Sequence, residues 1–119
     1  MILADTSIWV DHFRHNNPKL GALLTEGEVA CHPFVIGELA CGNLKNRQEI
    51  LSLLHDLPAV PMIDHDEFLT FVDEHRLAGA GLGSVDVHLL ASARLAAISL
   101  WTTDRRLGRI AAQMHVAHS

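Results

Sequence analysis

The chain has 119 residues, of which 49% are hydrophobic and 19% charged, and this composition predicts one globular domain at residues 1–119 and excludes a disordered chain. The formal net charge of −5 argues against a general affinity for nucleic acid, although residues 87–119 contain four arginines and one acid. No apolar run reaches the ~18 residues that span a membrane, and the N-terminus does not resemble a signal peptide, so we expect a cytoplasmic protein that does not contact membranes.

The first half of the chain combines two short apolar strands with four helices. Thr6 or Ser7 can cap the first helix, while Pro18 and Pro33 suit the first turns of later helices. We predict strands at residues 1–4 and 28–32, and helices at 6–14, 18–26, 33–42 and 45–57.

The second half continues the alternation of strands and helices. We predict strands at residues 59–63, 98–101 and 115–117, and helices from Asp64 to the glycines 79, 81 and 83, from Ser84 to Ala97, and from Arg105 to Gln113. Strands that alternate with helices pair in parallel and are covered on both faces. The predicted fold class is therefore α/β, a three-layer sandwich with a mostly parallel central sheet.

Four acidic residues, which we call the acidic quartet, occupy positions that can converge: Asp5, Glu38, Asp86 and Asp104. Asp5 and Asp104 each follow a predicted strand, and the ligand crevice of an open α/β sheet lies beyond such strand ends. Taken alone, Asp5 and Asp104 are better explained as helix-entry residues than as metal ligands, and Asp86, in the first turn of a helix, is explained by the helix dipole. Glu38 lies in an apolar helix, where a buried carboxylate is costly unless it reaches solvent or a positive charge.

The acidic quartet predicts a metal centre for chemistry on phosphodiesters. Carboxylates without intervening cations repel one another, and Mg²⁺ or Mn²⁺ is the hard ion that prefers their oxygens. Such an ion activates a water for attack on phosphorus and stabilises the leaving oxygen. Hydroxyl groups that can support the carboxylates or bind phosphate, or else serve as caps and turns, belong to Thr6, Ser7, Thr102 and Thr103.

Four segments resemble the motifs of PIN-domain proteins, specifically VapC-type toxins, in order and across essentially the whole chain. They are residues 2–11, 36–39, 84–91 and 101–107. The resemblance implies a PIN fold and a Mg²⁺- or Mn²⁺-dependent endoribonuclease, a toxin that is neutralised by an antitoxin encoded beside it. It also implies a homodimer or a toxin–antitoxin hetero-oligomer. The chain departs from the pattern at its end, where the closing strand is short.

The resemblance also implies a role for each member of the acidic quartet. The three aspartates would face the metal, Glu38 would bind it directly or through water, and Thr102 or Thr103 would be the small hydroxyl residue before the last acid. Because phosphate and carboxylate repel, cations near the site must attract the RNA substrate. The candidates, some of which could instead form ion pairs within the chain, are Arg105, Arg106 and Arg109.

Other interpretations of the same residues are open. An inactive PIN-like module that acts only through a protein partner could keep the acidic quartet. A receiver domain needs paired acids and a late lysine, whereas the only lysines here are Lys19 and Lys45. Histidines at 12 and 15, and at 115 and 118, have a spacing that suits a transition metal, but no H-E-x-x-H motif is present.

Two of the predicted helices, 33–42 and 45–57, carry more apolar residues than one buried face needs. These residues either pack in the core or form a groove for a helix of the antitoxin. They include Phe34, Val35, Leu51, Leu53 and Leu54.

Overall fold

The central sheet consists of short strands that pair in parallel in the computed structural model, which describes residues 1–118. The strands are β1 (Ile2–Ala4), β2 (Val29–Ala30) and β3 (Ser99–Trp101), in the order β2-β1-β3. Ile2 lies opposite Val29 on one side and Ser99 on the other. Leu3 and Ala4 are fully buried, as expected for a central parallel strand with both faces covered.

Single bridges extend this sheet at both edges. Cys31 pairs with Ala59 beyond β2, and Leu100 pairs with Ala117 beside β3. The predicted strands at residues 59–63 and 115–117 are therefore wrong as strands, since each contributes one bridge. Proline lacks the N–H that a strand donates, and Pro58 directly precedes the first of these segments while Pro61 lies within it.

Helices occupy most of the remaining described chain, and their bounds agree with the sequence to within a few residues. They are α1 (Thr6–His15), α2 (Pro18–Thr25), α3 (Pro33–Ala40), α4 (Arg47–Asp56), α5 (His65–Glu74), α6 (Ser84–Ala96) and α7 (Arg105–Gln113). Asp64 and Glu67 form a reciprocal capping box at the start of α5. The helix expected to reach Gly79 ends earlier, and Gly83 rather than Ser84 is the N-cap of α6.

The hydrophobic core lies between the sheet and the helices. Leu3, Ile8, Leu20, Leu90 and Leu100 are fully buried, and α6 is buried on more than one face along its middle turns. The three-layer α/β fold predicted from the sequence is confirmed. The predicted domain bounds end at Ser119, which lies outside the described residues. Within residues 1–118, no helix is long and apolar enough to cross a membrane.

Candidate active site

Asp5 joins the sheet to α1. It follows β1, its backbone N–H donates to the carbonyl of Trp101 at 3.0 Å, and its carboxylate accepts a hydrogen bond from the N–H of Ile8 at 3.3 Å as the N-cap of α1. Only 6% of Asp5 is exposed. A carboxylate this deeply buried needs strong hydrogen bonds or a positive partner.

Hydroxyl groups from both strand ends hold the Asp5 carboxylate. Ser7 donates to its Oδ1 and Thr102 donates to its Oδ2. Ser7 Oγ in turn accepts the N–H of Thr103 at 3.1 Å, and Thr102 Oγ1 accepts the N–H of Asp104 at 3.0 Å. The carboxyl ends of β1 and β3 are thus tied together through one buried carboxylate, while the supporting role of Ser7 and Thr102 in a metal site stays a prediction.

Asp104 and Asp86 each use one oxygen to cap a helix. Asp104 is the N-cap of α7, and its Oδ1 accepts the N–H of Leu107 at 3.0 Å. Asp86 lies in the first turn of α6, and its Oδ2 accepts the N–H of Gly83 at 3.2 Å. Since the second oxygen of each carboxylate accepts no hydrogen bond from residues 1–118, capping leaves one oxygen per residue for a ligand.

Glu38 is exposed on α3. Its carboxylate therefore stays hydrated, although the residues around it in the sequence are apolar. Its Oε1 accepts a hydrogen bond from the Thr6 hydroxyl at 2.6 Å. Both residues line a cavity of about 640 Å³. Sequence reasoning missed two cations of this cavity, Arg14 and Lys45, because they lie at the end of α1 and in the loop before α4 and meet Glu38 only in the folded chain.

Mutual repulsion within the acidic quartet is visible at Asp86. Burial raises the pKa of the Asp86 carboxyl above its ordinary value, and the negative charges of Asp104, Asp5 and Glu38 raise it further, against the lowering effect of the Gly83 N–H. The carboxyl groups of Asp5, Glu38 and Asp104 therefore lie close enough to Asp86 to act on its charge. In the described part of the chain the only ion pair joins the Met1 amino group to Glu28 at 3.1 Å, so the acidic quartet has no cationic partner.

This set of donors fits a hard divalent cation, which would supply the missing positive charge through oxygen ligands alone. Within residues 1–118, however, no three His, Cys, Asp or Glu side chains are arranged to hold a metal ion. The predicted convergence of the acidic quartet on one ion stays a prediction, and the histidine pairs have no metal-binding arrangement among the described residues either.

The predicted RNA-binding arginines, Arg105, Arg106 and Arg109, are all exposed on α7. None of them forms an ion pair with a described residue, which argues against a structural role for their charges. Arg106 differs from the other two because its side chain lies against the backbone of Gly81, in the loop before α6. The sequence marked Gly81 only as a helix terminator and gave no signal for this contact.

An apolar groove of about 290 Å³ lies between α1, α2 and α4. We define this helix groove by its lining residues Trp9, His12, Phe13, Leu24, Ile50, Leu53, Leu54 and Leu57. Leu53 is 57% exposed, whereas Leu54 and Val35 are buried. From α3, Val35 is buried and Phe34 packs against His88 at a ring distance of 4.8 Å, so neither residue lines this groove.

Comparison with known proteins identifies relatives over nearly the full chain. The family model for the PIN domain matches residues 2–113. Ribonuclease VapC32 of Mycobacterium tuberculosis, strains H37Rv and CDC 1551, is 47% identical over 118 residues, which are 98% of this chain and 95% of that protein. The crystal structure of PAE2754 from Pyrobaculum aerophilum aligns with a TM-score of 0.65 and 17% identity, covering 92% of this chain and 83% of that chain. This last similarity concerns the fold alone.

Proposed function

The chain is a VapC-type member of the PIN domain family, and we propose that it is a divalent-metal-dependent endoribonuclease, the toxin of a toxin–antitoxin pair. The observation that carries the proposal is the Asp5 carboxylate, buried at a strand end inside an acidic quartet without a cationic partner. Relatives named as ribonucleases, with 47% identity over 98% of the chain, support the reaction class. With RNA as its substrate, the protein would act in the cytoplasm.

In this proposal Asp5, Asp86 and Asp104 hold the ion, and Glu38 binds it directly or through water. A Mg²⁺ or Mn²⁺ ion held by these residues would reduce the repulsion between the acidic quartet and the scissile phosphodiester and would activate a water for attack. The free oxygens of Asp86 and Asp104 suit this role because their other oxygens already cap helices.

The hydroxyl residues orient the carboxylates. Ser7 and Thr102 donate to the two oxygens of Asp5, which keeps the buried carboxylate in one rotamer. Thr6 donates to Oε1 of Glu38, which is exposed beside the cavity and faces it as a candidate general base. Arg105, Arg106 and Arg109 attract the RNA backbone from α7.

We assign the helix groove to the antitoxin. Its lining is apolar, it lies between α1, α2 and α4, and the exposed Leu53 offers the apolar surface that a partner helix would cover. The assembly that accompanies this function would be a homodimer or a toxin–antitoxin hetero-oligomer.

The decisive experiment is incubation of the purified protein with structured RNA in Mg²⁺, in Mn²⁺ and in chelator. Cleavage that requires the ion and is lost in Asp5→Asn supports the proposal. An inactive module that works only through its partner would bind the antitoxin without cleaving RNA under any of these conditions, and that result would overturn the enzymatic assignment.

A further inference from the structure

Arg106 lies against the backbone of Gly81 at a distance that only glycine permits. A β carbon placed on Gly81 would lie 2.6 Å from Nη1 of Arg106, 3.1 Å from its Cδ and 3.2 Å from its Cζ. Gly81 also has a φ of +82°, in the left-handed region that favours glycine. Gly81 therefore has two roles in this loop: it permits the turn, and it leaves room for the arginine side chain to pack against the backbone.

Gly79, in the same loop, shares the left-handed backbone of Gly81 but not its contact with Arg106. Gly79 has a φ of +73°, so it meets the same backbone requirement, but nothing lies within 4 Å of the β carbon that it would carry. Alanine at either position would strain the backbone alike. Only alanine at Gly81 would displace Arg106.

The contact joins the N-termini of α6 and α7, two of the three helices whose N-cap or first turn includes an aspartate of the acidic quartet. Arg106 is the second residue of α7, two positions after the N-cap Asp104. Gly81 lies two residues before Gly83, the N-cap of α6, whose N–H binds Asp86. The guanidinium is therefore held beside both helix starts, although Arg106 forms no ion pair with any residue in 1–118.

An exposed arginine that is held in place without an acidic partner has donors available for an external anion. The planar guanidinium can bind two phosphate oxygens at once, which a lysine cannot match. Arg105 and Arg109 lie on the same helix, but the contact with the glycine loop is specific to Arg106.

We propose that Arg106 contacts a backbone phosphate of the RNA beside the acidic quartet. Gly81 is a positioning residue in this proposal, because its lack of a β carbon leaves room for the Arg106 side chain. The inference rests on the proposed ribonuclease function and deepens it. Of the three arginines on α7, it assigns Arg106 to a phosphate contact at the site. Gly81 acts only through Arg106 and touches no substrate.

The test compares Gly81→Ala with its matched control Gly79→Ala, together with Arg106→Gln and the double variant Gly81→Ala/Arg106→Gln. Affinity for a fluorescent single-stranded RNA is measured in chelator over a series of salt concentrations, so that binding is separated from cleavage. Single-turnover cleavage with Mg²⁺ or Mn²⁺ and thermal unfolding are measured on the same proteins.

Both alanine variants should lose similar stability, because both place a β carbon in the left-handed region. Gly81→Ala should weaken RNA binding about 10-fold, as expected for one hydrogen bond to a charged group. Its salt slope should fall by about 0.7, which is one phosphate contact on a single strand. Gly79→Ala should bind like the parent, Arg106→Gln should match Gly81→Ala, and the double variant should show no further loss.

Equal RNA affinities and salt slopes in the two alanine variants would overturn the inference, as would additive losses in the double variant. Should Gly81→Ala not fold, Gly81→Asn and Gly79→Asn repeat the comparison, since asparagine tolerates the left-handed region. Failure of the parent to cleave RNA with either metal would refute the ribonuclease proposal, while the binding comparison in chelator would still decide the role of Gly81.

Discussion

The Thr102 hydroxyl donates a hydrogen bond to Oδ2 of Asp5, across a sequence separation of 97 residues. Thr102 Oγ1 also accepts the N–H of Asp104, so one side chain orients two members of the acidic quartet. Loss of an outer group that holds a metal ligand in this way typically lowers metal affinity or activity by about 10–100-fold.

Thr102→Val should therefore lower the affinity for Mn²⁺ or the rate of RNA cleavage by about 10–100-fold. The matched control is Thr103→Val, because Thr103 contributes its backbone N–H to Ser7 and its hydroxyl forms no hydrogen bond with the described residues. Metal titrations of both variants, followed by cleavage rate and by calorimetry, test the prediction. Equal losses in the two variants would contradict it.

Asp5→Asn should reduce RNA cleavage by more than about 100-fold, since removing a ligand should cost more than removing its support. The folded state without metal should be retained, because the substitution removes one charge from a cluster of acids that repel one another. Cleavage assays with Mn²⁺ and thermal unfolding in chelator measure the two effects. If Asp5→Asn cleaves RNA at the parent's rate, Asp5 is not part of the catalytic centre.

The sequence predicted those features that depend on local chemistry. Asp5 and Asp104 follow strands and cap helices, and both properties can be recognised within a few residues of each. Gly81 shows the limit of this approach, because its contact with Arg106 arises only when the starts of α6 and α7 come together. The segment at 59–63 was assigned as a strand from its apolar residues, but its pairing is restricted to the bridge from Ala59 to Cys31.

His32 should make the stability of the protein sensitive to mild acid. It is fully buried, and its Nδ1 accepts the N–H of Phe34 at 2.9 Å as the N-cap of α3. Burial, together with the charge of His88, lowers the pKa of His32 from 6.5 to about 4. Protonation would convert the capping acceptor into a donor, so the folded state resists it.

Because the unfolded chain takes up this proton more readily, the contribution of His32 to stability is complete above pH 6.5 and is lost as the pH falls towards 4. The loss should be about 1.4 kcal/mol per pH unit within that window. His32→Asn keeps a capping acceptor that does not titrate. Urea unfolding of both proteins from pH 7 to pH 4 should show a shallower decline in the variant, and parallel declines would exclude His32 as the cause.

Leu53→Asp should weaken antitoxin binding by roughly 10-fold or more, because it places a charge in the helix groove. Leu53 is 57% exposed, so the fold and RNA cleavage should be preserved. Leu69→Asp is the control, since Leu69 is 48% exposed on α5 outside the groove. Titration with the antitoxin should separate the two variants, and equal affinities would place the antitoxin on another surface.

Replacement of Arg105, Arg106 and Arg109 by glutamine should weaken RNA binding without affecting affinity for the metal. All three are exposed on α7, and none has an ionic partner within residues 1–118. Each phosphate contact contributes about 0.7–0.9 to the salt slope, so the slope should fall by up to ~2–3 units.

Arg94→Gln is the control for this triple variant, because Arg94 is exposed on α6 in a different cavity, which it shares with the acids Asp66 and Glu67. RNA affinity at several salt concentrations should be unchanged in Arg94→Gln and reduced most strongly at low salt in the triple variant, where electrostatic attraction is least screened. An unchanged salt slope in the triple variant would move the RNA path away from α7. The cavity beside Glu38, with Arg14 and Lys45, would then be the alternative surface to test by the same measurement.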